Sequence, residues 1–166
     1  TPTQSTSIYQ DTFSLKTSDL IASNGLILFS NNKNEFYSLD MNKGNLNWKQ
    51  KINSNLRPTL IGDLIFTVSL EGFVVVVDKK NGNVIRSTDI FKKFSKKKRK
   101  IIKPIGFIVG LDKIYLTTSN GRLLIIDILS GKTISILKID NKKISRPFVL
   151  NQNLFIIEKN SIIKLD

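Results

Sequence analysis

The chain of 166 residues contains no cysteine and no histidine. These two absences exclude disulfide staples, thiol nucleophiles, Cys/His zinc or haem sites and every histidine-based catalytic triad. Long apolar runs are missing as well. The longest, residues 73–77 (Phe-Val-Val-Val-Val), is far short of the roughly 18 residues that a membrane-spanning helix needs. No stretch sustains a 3.6-residue apolar period with helix caps, so the pattern predicts essentially no helix. The chain opens on Thr1-Pro2-Thr3 with neither a methionine nor an apolar leader, which reads as a trimmed or processed piece.

What is abundant is positive charge. Lysine and arginine total 26 against 13 acids, a formal net charge of +13. Ile, Lys and Asn together supply 61 of the 166 residues, and all three have AT-rich codons. A biased genome therefore supplies part of the lysine without any anionic partner. At 40% hydrophobic the chain is ordinary globular material, long enough for one domain with a core.

The chain repeats itself, which is the first property to look for in a fold. Asp40, Asp78, Asp127 and Asp166 set a phase, and Gly44, Gly82 and Gly131 each follow an anchor by four residues. Asn34, Gly72, Gly121 and Asn160 precede the four anchors by six; these are the residue types that best tolerate positive φ. A basic residue followed by proline recurs as Arg57-Pro58, Lys103-Pro104 and Arg146-Pro147. Each unit reads as four short β-branched and aromatic strands separated by Gly/Asn/Asp turns. The runs Val74-Val75-Val76-Val77 and Leu123-Leu124-Ile125-Ile126 are apolar at every position, as expected of strands covered on both faces.

Four-stranded antiparallel units of this length describe the blades of an all-β propeller. The expected blades are 18–52, 57–90, 101–140 and 145–166, within one domain spanning 1–166. The last unit stops before a fourth strand, and residues 8–15 form an isolated strand ahead of the first. That strand completes the last blade in a self-closed ring. Alternatively, the chain is half of a larger, eight-bladed ring, and then an exposed blade face favours a homodimer.

The run Tyr37-Ser38-Leu39-Asp40-Met41-Asn42-Lys43-Gly44-Asn45-Leu46-Asn47-Trp48 resembles the quinoprotein repeat, roughly Leu-Tyr-Ala-Leu-Asp-Ala-x-Thr-Gly-Lys-x-x-Trp. Residues 73–83 and 123–132 are more divergent copies. The resemblance covers nearly the whole chain and implies a PQQ-like β-propeller, an architecture that does not fix chemistry. One branch of that family is the PQQ-dependent dehydrogenases, which hold a quinone and calcium. The other is the BamB-type lipoproteins, cofactor-free propellers that help assemble outer-membrane β-barrels. The repeat tryptophan survives only as Trp48, its counterparts being Arg86 and Ser135. The vicinal cysteines of the dehydrogenases are absent. The short repeats are closer in character to the BamB type.

Candidate sites are few. The phased aspartates read as turn acceptors rather than metal ligands. Glu35, Glu71 and Glu158 fall at unequal offsets from the anchors, which supports no shared carboxylate chemistry. No catalytic, cofactor-binding or metal-binding residue is expected. Arg57, Lys103 and Arg146 stand where first strands begin, and first strands line a propeller's channel; they predict a cationic mouth for an anion or an acidic partner loop. Segment 91–103, an insertion between blades, holds Lys92, Lys93, Phe94, Lys96, Lys97, Lys98, Arg99 and Lys100. It is either a solvated loop or a contact for anionic lipid, an acidic protein or nucleic acid, with Phe91 and Phe94 as apolar anchors. No RRM, KH or OB signature accompanies it, which disfavours nucleic acid. The leading expectation is a non-enzymatic, cofactor-free protein-binding scaffold of a bacterial cell envelope or periplasm, its partner resembling the outer-membrane assembly machinery. The alternatives are a divergent fragment of a PQQ-dependent dehydrogenase and a binder of anionic lipid or nucleic acid through 91–103. The excess charge is expected on one face of the ring.

Overall fold

A computed structural model describes residues 14–165. The first sheet comprises β1 (Ile21–Ser23), β2 (Leu26–Asn31), β3 (Glu35–Asp40) and β4 (Leu46–Gln50). The second comprises β5 (Thr59–Ile61), β6 (Leu64–Val68), β7 (Phe73–Asp78) and β8 (Val84–Asp89). β9 (Pro104–Val109), β10 (Lys113–Thr118), β11 (Arg122–Asp127) and β12 (Thr133–Lys138) form the third, and β13 (Phe148–Leu150), β14 (Asn153–Glu158) and β15 (Ser161–Leu165) the fourth. Every sheet is antiparallel with its strands in chain order. This is the up-and-down blade of a β-propeller. The expected strand over 8–15 lies mostly outside the described residues, and Ser14 and Leu15 belong to no strand.

The repeat markers fold as turn chemistry. Oδ1 of Asp40 accepts from the backbone N–H of Asn42 (3.0 Å) and Lys43 (2.7 Å). Oδ1 of Asp78 accepts from Lys80 (2.8 Å) and Asn81 (3.0 Å), and that of Asp127 from Ser130 N–H at 2.7 Å. Each carboxylate thereby caps the turn that leads into its blade's fourth strand. The glycine that closes the turn answers to two demands at Gly82: φ is +75°, and an added Cβ would stand 2.6 Å from the Trp48 ring of the preceding blade. In the last blade the left-handed residue is Lys159, at φ 51°, rather than the expected Asn160. There β14 runs to Glu158 and β15 starts at Ser161, so the two-residue turn begins one position earlier.

Three buried clusters hold the blades in sequence. Leu28, Phe36 and Trp48 meet Ile65, Val75 and Val77 between the first and second blades. Val74 and Val76 point the other way, against Ile114, Leu116, Leu124 and Ile126 of the third. Leu123 then packs with Ile144 and Ile156 toward the fourth. The unbroken valine run is thus the alternation of a strand that serves a different neighbour at each successive residue. Among the described residues no buried cluster joins the fourth blade to the first, and the ring of sheets is not closed.

The insertion carries a helix that the sequence reading did not anticipate, α1 (Lys96–Ile101). Five straight-chain basic residues suit a helix, Ser95 Oγ accepts from Lys98 N–H at its start, and Lys98, Arg99 and Lys100 occupy the last turn, where cations favour the dipole. So short a helix is not stable alone. Phe91, fully buried, and Ile102 fix its two ends in the core between the second and third blades.

Candidate functional site

Because strands alternate in direction, all inter-blade connectors emerge on one face, together with the turns between second and third strands. The innermost strands β1, β5, β9 and β13 surround a central cavity of about 640 Å³. Arg57, Arg146 and Asp19 line it beside apolar residues such as Phe107 and Phe148. Arg146 Nη1 lies 3.2 Å from Asp19 Oδ2, an exposed pair that reaches from the fourth blade back to the segment before the first. Arg57 is exposed and makes no ion pair or side-chain hydrogen bond among the described residues. Lys103 is not part of the cavity wall; it is exposed in the connector ahead of Pro104, with its backbone N–H on Ser119 Oγ (2.9 Å). The cavity therefore brings together Arg57 and Arg146, each beside a proline that ends strand pairing, and leaves the third cation outside.

Asp19 was missed by the sequence reading, yet a signal existed. It stands two residues before β1, as Arg57 does before β5 and Arg146 before β13. The first repeat thus holds an acid where later repeats hold a guanidinium.

The basic segment divides under inspection. Phe91 is buried and stacked edge-on against Phe94 at 5.7 Å, and Phe94 is half-buried against the same core. Phe91 is therefore not a surface anchor but fixes the insertion to the core, while Phe94 keeps part of its ring at the surface. The Phe91 ring lies directly against Gly72, leaving no room for a Cβ there. Arg99 pairs with Asp89, and Lys93 Nζ donates to the Ile134 carbonyl (3.1 Å) of the third blade. Lys92, Lys96, Lys97, Lys98 and Lys100 remain exposed, without side-chain partners among the described residues.

On the same face the acids are already engaged. Lys49 sits 2.7 Å from Glu35; that ammonium first, then the Asn31 amide, holds the Glu35 carboxyl down to about 2, while the lysine is raised. Glu71 accepts from Asn53 (2.6 Å). Lys159 lies 3.7 Å from Asp140 and 3.6 Å from Glu158. Asp140 is lowered chiefly by the backbone N–H of Asn141. The opposite face is balanced differently, with Asp40, Asp63, Asp78, Asp112 and Asp127 interspersed among its lysines. There Lys79 holds Asp63 down, and Ser130 does the same to Asp127.

Trp48 and Arg86 occupy the same repeat position and do the same mechanical work. The Trp48 indole donates to the Lys79 carbonyl (2.9 Å) in the turn of the second blade. Arg86 donates to the carbonyls of Leu129 and Ile128 in the turn of the third. A position read as a lost tryptophan is a guanidinium clamp between blades. Among the described residues no three acidic side chains gather at one point.

Up-and-down four-stranded blades around a channel, repeating with the Asp-x-x-x-Gly turn, define a PQQ-like β-propeller. The chain belongs to the family described as outer membrane protein assembly factor BamB, whose profile matches residues 1–88. Among solved structures it is similar to BamB from Moraxella catarrhalis, with 14% identity, a TM-score of 0.71, and coverage of 89% of this chain and 41% of that one. The chain thus spans well under half the length of that relative. It is also similar to the computationally designed Ika4 protein (10% identity, TM-score 0.69, covering 90% and 89% of the two chains). A europium-containing methanol dehydrogenase matches less of it, with 16% identity, a TM-score of 0.58, and coverage of 75% and 25%. At these identities the likeness is one of fold. No curated protein matches the chain at the level of sequence.

Proposed function

We propose that the chain is part of a non-enzymatic protein-binding scaffold of the bacterial cell envelope, and that it takes an acidic segment of its partner at the cavity mouth. Membership of the BamB family is the observation that carries this reading. The pairing of one engaged guanidinium, Arg146, with one unengaged, Arg57, at the same cavity supports it. A carboxylate presented by a partner loop meets Arg57 in bidentate fashion and competes with Asp19 for Arg146. Lys103 adds charge at the rim.

The first and fourth blades each turn an apolar face away from their neighbour. Phe29 and Tyr37 stack at 5.1 Å on the outer face of the first blade, and Phe148 and Phe155 stack at 5.6 Å on that of the fourth. A second copy that covers both faces makes a homodimer, and light scattering reads its mass directly.

The test of the scaffold reading is binding of a fluorescent Glu-rich peptide by anisotropy. Arg57→Glu is expected to weaken it at least tenfold, whereas Arg86→Lys, remote from the cavity, leaves it within twofold. Equal affinity in wild type and Arg57→Glu overturns the cavity as the partner site. A visible quinone absorbance retained after mixing the chain with PQQ and calcium overturns the non-enzymatic reading.

A further inference from the structure

The connector face has a property that neither the family nor the cavity accounts for: its acids are engaged, while a cluster of lysines around α1 is not. Asp19, Glu35, Asp89, Asp140 and Glu158 each stand beside a cation, and Glu71 is taken by Asn53. Lys92, Lys96, Lys97, Lys98 and Lys100 project from α1 and the turn before it, with no residue of α1 buried. Lys142 and Lys143 are exposed in the next connector, on the same face. Ile101, at the end of α1, is 72% exposed. The result is a broad, one-sided lysine surface with one apolar tip, mounted rigidly on the core through Phe91 and Ile102.

We propose that this face docks on an anionic lipid bilayer, with Lys96, Lys97, Lys98 and Lys100 over the headgroup phosphates and Ile101 reaching between them. Three observations favour a membrane over a nucleic acid or an acidic protein. First, the free cations of α1 and its flanks are lysines, compact charges that suit a diffuse plane of phosphates, whereas Arg99, the arginine of this segment and the residue of bidentate recognition, is already spent on Asp89. Second, Phe91 is buried in the core and Phe94 packs edge-on against it, so the segment presents no pair of open rings on which unpaired bases would stack. Third, the charge spans two successive connectors of a blade face instead of lining a groove, the shape that meets a flat surface. The proposal does not rest on the cavity as a partner site.

The test is co-sedimentation of the whole chain with vesicles of phosphatidylglycerol and phosphatidylcholine, against vesicles of phosphatidylcholine alone, at about 0.1 M salt, where screening reaches only about 10 Å. Retention is expected on the anionic vesicles alone. Near a charged bilayer each lysine contributes about fivefold. The variant K96S/K97S/K98S/K100S is therefore expected to lose about a hundredfold or more, and Ile101→Ser a few-fold. K43S/K80S/K113S/K132S removes the same charge from the opposite face and is expected to bind within threefold of wild type. Circular dichroism checks that each variant is folded. Equal losses in the two quadruple variants, or equal retention on neutral vesicles, overturns the proposal. So does tighter binding to single-stranded DNA or to poly-glutamate than to the anionic vesicles.

Discussion

The two inner blades bury their third strands on both faces, while the first blade buries its own on one face and the fourth only half-buries one. In β7 the four valines 74–77 are all buried, divided between the first and third blades. In β15, by contrast, Ile162 is 67% exposed, and only the side toward the third blade takes part in a core cluster. The first blade is intermediate: Phe36 and Ser38 of β3 are buried, while Tyr37 and Leu39 on its other side are half-buried. The difference teaches that stability in this fold is a property of blade pairs rather than of blades, as expected of a stacked repeat.

The comparison breaks most sharply under a buried charge. Val75→Asp places an unpaired carboxylate between the first and second blades, 5% exposed in the native chain, and is expected to cost at least about 4 kcal/mol or abolish folding. Ile162→Asp, the same change on the open face, is expected to stay within about 0.5 kcal/mol in urea unfolding. If a second copy covers that face, Ile162→Asp instead drives the mass in light scattering to that of a monomer while leaving the urea midpoint at low protein concentration unchanged. A large stability loss in the isolated chain refutes the contrast.

Truncation gives a smaller version. Leu116→Ala, fully buried between the second and third blades, is expected to lose about 2–5 kcal/mol, and Phe155→Ala on the fourth blade's outer face about 1 kcal/mol. The seam between blades is probed by Gly82→Ala, where positive φ and the Trp48 ring together predict a loss of about 1–3 kcal/mol; intrinsic tryptophan fluorescence follows the displaced indole. The smallest effect is electrostatic. The Glu35 carboxyl titrates at about 2 when folded, below its value in the unfolded chain. Its contribution is therefore complete above the unfolded value and fades as pH falls toward 2. Wild type is expected to lose slightly more of its urea midpoint between pH 5 and pH 2.5 than Glu35→Gln does, with the two curves parallel above pH 5.

Much of this fold was legible because its determinants are local. Asp40-x-x-x-Gly44 and its copies announce turns whose hydrogen bonds lie within five residues, and the valine run announces a strand covered twice. Lys159 in place of Asn160 shows the limit: a two-residue turn slides by one position when the flanking strand pairs one residue further. Helix α1 escaped because a run of lysines has no apolar period, and its ends are held by Phe91 and Ile102 through contacts with other blades. The same contacts reversed the reading of Phe91, which looks like a surface anchor in a basic segment and is a core residue in the structure, with Phe94 half-buried against it.

The site was legible in part. Arg57 and Arg146 could be placed at first strands from the repeat phase, but Asp19 pairs with Arg146 across 127 positions of chain, and no local pattern encodes such a pairing. Likewise Arg86 reads as an absence of tryptophan until the turn it grips, residues 127–132, is seen beside it.

By itself the sequence determined the repeat, the all-β class, the turn geometry and the excess of cations, because strand alternation, positive φ and charge are properties of single residues and near neighbours. Only the tertiary structure decided which cations are free. An ion pair depends on what distant strands bring within a few ångströms, and stacking blades around a channel sends every connector, with its lysines, to one face.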